Sequence, residues 1–316
     1  MYPRISDLFK DLFGFNLPIP IYSFGAMVAV AFLMAAWLSR KELDRLYAEG
    51  RLPAVRIPVK DAKGRGKRKR KATEKASPGV LMGSITVIAV VGGFAGAKVF
   101  HILEHLGEFF RDPVGMLFSS GGFTFYGGLI VAAAGIAWYV RKQGLHVWTV
   151  ADALAPGLML AYGIGRLGCH LAGDGDWGIA ADLAARPSWL PAWLWAETYP
   201  NNILGQDLSA APVYPTSIYE FVAATLLFAL LWRLRKHPFL SGWLFSVYLF
   251  LDGLERFLIE QIRVNVRFDL FGLEVTQAEV IAVVLMAAGV FGMIRTWKRR
   301  EAPEEAPGKL RPSPAS

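Results

Sequence analysis

Long apolar runs separated by short polar segments are the dominant pattern of this 316-residue chain. A run needs about 20 apolar residues to cross the hydrocarbon core of a bilayer as a helix. About seven runs reach such a length, and we predict that each one spans the membrane. They cover residues 20–39, 78–103, 122–140, 148–171, 216–232, 240–260 and 276–294. The pattern therefore predicts an all-α polytopic membrane protein.

Lysine and arginine residues collect in alternate connections between these runs. The connection 40–77 holds 14 of them, the connections after the third and fifth runs hold two and three, and the tail from Arg295 holds six. Because basic residues accumulate in cytoplasmic loops, we expect these four segments to be cytoplasmic. The N-terminus is then outside and the C-terminus inside.

Two longer polar segments are expected to lie outside the helix bundle. The basic connection is predicted to be a disordered cytoplasmic insertion, which either touches anionic lipid head groups or simply fixes the topology. The segment between the fourth and fifth spans is predicted to form a small external cap. The resulting division is 1–50 with the first span, 51–77 as the insertion, 78–172 with spans two to four, 173–214 as the cap, 215–296 with spans five to seven, and 297–316 as a cytoplasmic tail.

The composition agrees with a membrane protein and bears on which class of molecule the protein binds. Hydrophobic residues make up 54% of the chain and charged residues 19%, and Cys169 is the single cysteine, so no internal disulfide can form. The net charge of +8 could indicate nucleic-acid binding. The placement of the basic residues in loops explains that charge better, so we expect bilayer lipids rather than nucleic acid as partners.

Polar side chains inside the predicted spans concentrate toward one side of the membrane. A charge in hydrocarbon costs several kcal/mol, roughly 2.5–3.5 even on lenient scales, and usually faces a polar cavity. With the predicted topology, the outer ends of the spans carry Lys98, Tyr126, Arg166, Tyr219, Glu220, Arg256, Glu260 and Arg263.

The charges in this group predict an anionic ligand. Arg256 and Glu260 are four residues apart on one helix and should pair, and the remaining cations outnumber the acids. Arginine suits phosphate because its planar fork donates two hydrogen bonds, and an anionic phospholipid is present at that depth. Alternatively, these cations extend toward the outer head groups without binding a substrate.

Five motifs occur in order along the chain. They are Gly96-Ala97-Lys98, the stretch from Gly121 to Leu129, the stretch from Gly165 to Gly178, Pro215 to Glu220, and Arg256-x-x-x-Glu260-x-x-Arg263. Together they resemble the motifs of bacterial prolipoprotein diacylglyceryl transferases, and the resemblance covers residues from about 20 to 295.

The resemblance implies a function. That family moves the diacylglyceryl group of phosphatidylglycerol onto the lipobox cysteine of a prolipoprotein and releases glycerol phosphate. It implies a site toward the outer leaflet of the bacterial cytoplasmic membrane, with no metal or cofactor. The substrates would be phosphatidylglycerol and prolipoprotein signal peptides, while the sequence leaves the oligomeric state undetermined.

The resemblance also assigns roles to individual residues. Arg166 and Arg256 would hold the phosphate, Glu260 would orient Arg256, and Tyr126 stands where the family has histidine. His170, four residues after Arg166, is a second candidate for proton transfer. The expected substrate-binding residues are Lys98, Gly127, Gly128, Gly173, Gly178, Tyr219, Glu220 and Arg263.

Several positions depart from the family pattern and keep other functions open. Cys169 replaces the signature asparagine and is interpreted as a packing residue. One extra residue lies between Gly173 and Gly178, and Asp174 and Asp176 there are interpreted as turn residues rather than cation ligands. A catalytically silent lipid-binding relative and an anionic lipid transporter remain alternatives.

Overall fold

The computed structural model describes residues 1–15, 18, 21–58, 73–119, 121–270 and 272–298, which are mostly helical. The described helices are α1 Ile5–Phe13, α2 Ser23–Ala48, α3 Met82–Glu104, α4 Leu106–Phe109, α5 Pro113–Phe118, α6 Phe125–Lys142, α7 Val147–Ala172, α8 Ala192–Trp195, α9 Thr216–Leu234, α10 Trp243–Glu260 and α11 Gln277–Thr296. The described strands are β1 Val55–Pro58, β2 Thr73–Ala76, β3 Arg267–Leu270 and β4 Leu273–Thr276.

Five helices within the described ranges are long and apolar enough to cross a membrane. They are α2, α3 with the turn Pro78–Leu81 before it, α7, α9 and α11. The prediction of a polytopic membrane protein is therefore confirmed. The helices α6 and α10, of 18 residues each, coincide with the predicted third and sixth spans but are not among these five, so the count of seven spans stays a prediction.

The helix α7 lies at the centre of the bundle and fixes the position of α10. It packs against α2, α9 and α10, and its buried Asp152 accepts hydrogen bonds from the backbone amides of Gly242 at 2.7 Å and Phe245 at 2.8 Å. Those amides belong to the beginning of α10, where helix N–H groups have no partner within the helix and the dipole favours an acid. This contact fixes the position of the first turn of α10 relative to α7. Further along, α7 carries Arg166 and α10 carries Arg256.

Small residues bring α3 and α6 into close contact. An added Cβ at Gly96 would lie 2.6 Å from the carbonyl oxygen of Gly127, and one at Gly128 would lie 2.6 Å from the carbonyl oxygen of Gly93. Backbone approach of this kind is how glycine favours helix association in membranes. The structure thus gives Gly127 and Gly128, expected to bind substrate, a packing role.

The described ends of the insertion are ordered, contrary to the prediction of disorder for 51–77. Strands β1 and β2 pair antiparallel, with Val55 opposite Ala76. Val55 is 2% exposed and joins the core cluster of Leu43 and Leu46, so burial of this apolar side chain holds the hairpin against α2. Residues 59–72 and the tail from 299 lie outside the described residues, so the disorder predicted for the first and the cytoplasmic position predicted for the second stay predictions.

The segment 173–214 connects α7 to α9 and has a small core of its own. Trp177, Tyr199 and Val213 pack together, and Val213 forms isolated β-bridges with Ala180 and Glu197. A second hairpin, in which β3 pairs antiparallel with β4, follows α10. These two hairpins correct the expectation that all regular elements are helical, while the external position of the cap stays a prediction.

We expect Gly96→Ala to destabilise the protein because the new methyl group would meet backbone atoms of α6. The cost should be about 1–3 kcal/mol, as for overpacking elsewhere, and thermal unfolding followed by circular dichroism in detergent should show a lower Tm. Gly93→Ala on the same helix is the control, since its Cβ meets nothing within 4 Å. Equal Tm values for the two variants would contradict this packing role.

Candidate functional site

A fully buried carboxylate, Glu220 in the first turns of α9, is the centre of a cluster of charges. Its oxygens lie 3.4 Å from Nε of Arg166, Nη1 of Arg256 and Nη1 of Arg263. The relative exposure of Glu220 is 0%. Arginines from α7, α10 and the segment after α10 therefore converge on one acid from α9.

A second carboxylate, Asp176, closes the cluster on the cap side. One of its oxygens forms an ion pair with Nη1 of Arg166, and the other pairs with Nη2 of Arg263. Asp176 is less buried than Glu220, with 24% of its side chain exposed. It therefore bridges two arginines at the more accessible edge of the cluster.

Backbone geometry brings Arg263 to this position. Gly178 and Arg263 form an antiparallel β-bridge, and the amide of Ile179 donates to the carbonyl oxygen of Ile262 at 2.9 Å. An added Cβ at Gly178 would lie 2.7 Å from that same carbonyl oxygen. Gly178 thus serves the site by allowing the cap and the segment after α10 to approach closely.

The predicted pair of Arg256 and Glu260 is confirmed. Nη2 of Arg256 lies 2.9 Å from Oε2 of Glu260, and Nδ2 of Asn265 donates to Oε1 of the same carboxylate at 2.6 Å. Glu260 is 1% exposed. An ion pair and a hydrogen bond therefore hold Glu260, and Glu260 in turn orients Arg256 toward Glu220.

Tyr162 links the cluster to a further buried acid. Its hydroxyl lies 3.0 Å from Oε1 of Glu220 and 3.1 Å from Oε2 of Glu255, and the guanidinium of Arg166 lies 5.1 Å from the centre of its ring. Tyr162 precedes Arg166 by one helical turn, so both share a face of α7. Tyr162 was not among the predicted site residues, although its spacing from Arg166 was a usable signal.

The charges around the cap-side acids change their proton affinity. Burial alone would raise the pKa of Asp176, but the charges of Arg166 and Arg263 outweigh burial and lower the pKa below its usual value. Burial raises the pKa of Asp174, the other acid of this turn. Asp174 accepts a hydrogen bond from the amide of Asp176 at 3.4 Å, consistent with its interpretation as a turn residue.

Other predicted site residues lie at the edges of the cluster or away from it. Nζ of Lys98 donates to carbonyl oxygens of Ser119 and Gly121 at 3.1 and 2.8 Å, so it holds the segment before α6 instead of joining the arginines. Tyr126, half-buried on α6, lies close enough to Arg256 and Glu260 for their charges to act on its hydroxyl. The expectation that all these groups share one cluster is therefore only partly met.

His170 and Tyr219 face the cap. Nδ1 of His170 lies 3.4 Å from the hydroxyl of Tyr199 and 3.5 Å from that of Ser217, and the hydroxyl of Tyr219 donates to the carbonyl oxygen of Leu194 at 2.6 Å. Gly173 has a φ of +61° and ends α7, where an added Cβ would meet Asn202 at 2.7 Å. Cys169 is a buried, free thiol, consistent with a packing role.

Two apolar grooves adjoin one another along α9. The larger, of about 660 Å³, lies between α9 and the cap and is lined by residues such as Leu194 and Ile218. The smaller, of about 380 Å³, lies between α9 and α10 and reaches Glu255. Tyr219 lines both, so the grooves form a continuous apolar surface beside the charge cluster.

Comparison with known proteins places these features in a family. The sequence model of the family described as prolipoprotein diacylglyceryl transferase matches residues 11–295. A protein from Stenotrophomonas maltophilia named phosphatidylglycerol–prolipoprotein diacylglyceryl transferase is 29% identical over 308 residues, covering 90% of each chain. Proteins of the same name from Vibrio atlanticus and Corynebacterium efficiens are 27% and 29% identical, covering 97% and 91% of this chain and 96% and 81% of their own.

We expect Asp176→Asn to lower Tm at neutral pH because two arginines lose an ion-pair partner. The folded-state pKa of Asp176 is below its usual value of 3.8, so its stabilisation is fully present above about pH 5 and is lost as pH falls through the folded-state pKa. The difference in Tm between the wild type and the variant should therefore narrow in acid. Thermal unfolding between pH 3 and 8 measures it, with the exposed Asp7→Asn as control.

A difference in Tm between wild type and Asp176→Asn that stays constant down to pH 3 would contradict these ion pairs. The same conclusion would follow if Asp7→Asn reproduced the whole effect, since Asp7 lies in the first turn of α1, on a different segment from the cluster.

Proposed function

The chain belongs to the prolipoprotein diacylglyceryl transferase family, and on that premise we propose that it transfers the diacylglyceryl group of phosphatidylglycerol to the lipobox cysteine of prolipoproteins. The observation that carries this proposal is the convergence of Arg166, Arg256 and Arg263 on Glu220, each within 3.4 Å. Three guanidinium groups at one point are suited to a phosphodiester.

The lipid phosphate would enter where Asp176 now lies. The two oxygens of that carboxylate contact two different arginines, as two oxygens of a phosphate would. Because Glu220 is buried deeper than Asp176, the phosphate can replace Asp176 while Glu220 keeps the arginines in place. Arg166 and Arg263 would then bind the phosphate, and Arg256 would complete the site.

The apolar grooves would hold the lipid's acyl chains. They run along α9 directly beside the charge cluster, and their walls are leucine, isoleucine, alanine and aromatic side chains. Because the acyl chains come from the hydrocarbon of the bilayer, the grooves would contribute packing contacts and a fixed position for the chains. This arrangement would place the phosphate at the arginines and the chains between α9, α10 and the cap.

The site would face the outer leaflet of the bacterial cytoplasmic membrane, with seven spans and the C-terminus inside. One support is the accumulation of basic residues in the connection 40–77 and in the tail from Arg295, which is typical of cytoplasmic segments. The other is that the cap joins the C-terminal end of α7 to the N-terminal end of α9, the ends that the predicted topology places outside. Prolipoprotein signal peptides would approach through the membrane plane, and nucleic acid would not take part.

The reaction would be a displacement at carbon. The lipobox thiol loses its proton, its sulfur bonds to the glycerol carbon of the diacylglyceryl group, and the bond from that carbon to the phosphate oxygen breaks. Glycerol phosphate leaves with the oxygen and the electron pair. The arginines stabilise the charge that develops on the leaving phosphate, and holding both substrates in line lowers the entropic part of the barrier.

Glu255 would accept the thiol proton. Glu255 and Asp252 both lie on α10, and among the described residues no lysine or arginine lies within ion-pair distance of either. Asp176, Glu220 and Glu260, in contrast, each form ion pairs with arginines. Glu255 also borders the smaller groove, and its Oε1 has no hydrogen-bond partner among the described residues. His170 faces the cap instead, and Tyr126 would position the substrate beside Arg256.

We expect Arg166→Lys to lower kcat/KM about 10²–10³-fold. Lysine keeps the positive charge, but it cannot donate two parallel hydrogen bonds to the phosphate in the transition state as a guanidinium can. The assay incubates purified protein with phosphatidylglycerol and a lipobox peptide and measures the mass of the diacylglyceryl thioether. Arg233→Ala, an exposed arginine at the other end of α9, should stay within about twofold of wild type.

Full activity of Arg166→Lys would remove Arg166 from the mechanism. Absence of product from the wild type, under conditions where the Stenotrophomonas relative forms it, would remove the transferase proposal and leave a silent lipid-binding protein. Size-exclusion profiles of both arginine variants check that folding is intact.

We expect Glu255→Gln to lower kcat about 10²–10⁴-fold while KM for phosphatidylglycerol changes little, because the amide keeps the shape but cannot take a proton. The pH dependence of kcat should flatten in the same variant. Asp252→Asn is the matched control, one helical turn before Arg256, and should keep most of the activity. A larger loss of kcat in Tyr126→Phe than in Glu255→Gln would contradict this assignment.

A further inference from the structure

Two histidines and a glutamate form a separate cluster at the end of α3. His101, Glu104 and His105 each offer one ligand atom, and these atoms all lie within 4.8 Å of one another. The rings of the two histidines have centroids 4.4 Å apart. Residues three and four apart share one helix face, so the local sequence His-x-x-Glu-His brings all three side chains together.

We propose that His101, Glu104 and His105 bind a zinc ion. Two imidazole nitrogens and one carboxylate oxygen form a donor set that zinc takes at about 2.0–2.2 Å, with water in the fourth position. Calcium and magnesium prefer oxygen-only sites with six or more ligands, so this donor set selects a transition metal. The function proposed above does not require the ion.

The hydrogen bonds around the cluster prepare these side chains for a metal. Nδ1 of His105 lies 3.0 Å from the carbonyl oxygen of His101, to which it can only donate. The proton is then on Nδ1, and the lone pair of Nε2 points away for coordination. A metal-binding histidine usually donates its other nitrogen in this way, which fixes the ring and raises its basicity.

Glu104 connects the cluster to the beginning of α6. Its Oε2 accepts a hydrogen bond from the hydroxyl of Thr124 at 2.6 Å, and its second oxygen remains for a metal. Thr124 is the residue before α6, and its amide donates to the carbonyl oxygen of Ala97 on α3 at 3.0 Å. A bound ion would therefore tie the end of α3 to the segment that positions Tyr126.

The surrounding backbone leaves room for the ligands and access for the ion. Gly122 has a φ of +72°, and an added Cβ there would lie 2.4 Å from Nε2 of His101. Both histidines are half-buried and Glu104 is exposed, and all three lie at the end of α3, so the protein itself leaves a path by which an ion can reach the site. A core packing role would instead bury the two rings.

The test is zinc binding by the full chain in detergent, after tag removal and treatment with a chelator. Isothermal titration should give one ion per chain, and cobalt should give the visible absorption of a tetrahedral site. His105→Ala should weaken zinc binding at least tenfold. His146→Ala, an exposed histidine before α7, should bind as the wild type does.

Thermal unfolding gives a second readout that does not depend on transferase activity. Zinc should raise the Tm of wild type and His146→Ala and leave that of His105→Ala unchanged. If His105→Ala unfolds, Glu104→Gln replaces it, because the amide keeps an oxygen for Thr124 and removes the charged ligand. Zinc affinity equal in wild type and cluster variants, or no binding by the wild type, would overturn the proposal while leaving the proposed transferase function untouched.

Discussion

The ion pairs that converge on the buried carboxylate of Glu220 are the interaction on which the site depends. Arginines from α7, α10 and the segment after α10 lie 3.4 Å from it. Removing one partner of a buried pair costs about 3–5 kcal/mol, because the remaining charge is left without compensation. Each element that carries one of these charges is therefore held in place by the others. Apolar packing already joins α7, α9 and α10 along their length, and the ion pairs add a fixed relation among them at this end of the bundle.

The rest of the fold supplies the positions that this cluster needs. Asp152 accepts two amides at the beginning of α10, which fixes that helix against α7 about four turns before Arg256. At the other end, the bridge between Gly178 and Arg263 joins the cap to the segment after α10. Contacts at both ends of α10 thus bring the charged side chains within reach of one another, and the ion pairs then hold these elements together.

Local periodicity predicted some of this site, and the remainder depends on non-local geometry. The pair Arg256–Glu260 follows from residues four apart on a helix, and the order of the motifs indicated that Arg166, Glu220 and Arg263 belong to one site. The bridging role of Asp176 could not be predicted, since it requires a turn in which Gly173 and Gly175 both have positive φ. Lys98 was assigned to the site from its depth and from the Gly96-Ala97-Lys98 motif, and nearby carbonyl oxygens bind it instead.

Asp176 changes the charge balance of the cluster. The sequence predicts a surplus of positive charge, but three arginines here face three carboxylates, those of Asp176, Glu220 and Glu260. An even balance does not attract an anion by net charge, so a phosphate must compete with one of the acids. Asp176 is the acid to replace, because it is the most exposed of the three and lies on a turn and not on a helix. Its departure would restore a surplus of one positive charge at the moment the phosphate binds. The lowered pKa of Asp176 comes from the charges of Arg166 and Arg263, so this acid is ionised and paired at neutral pH until an anion competes for those arginines.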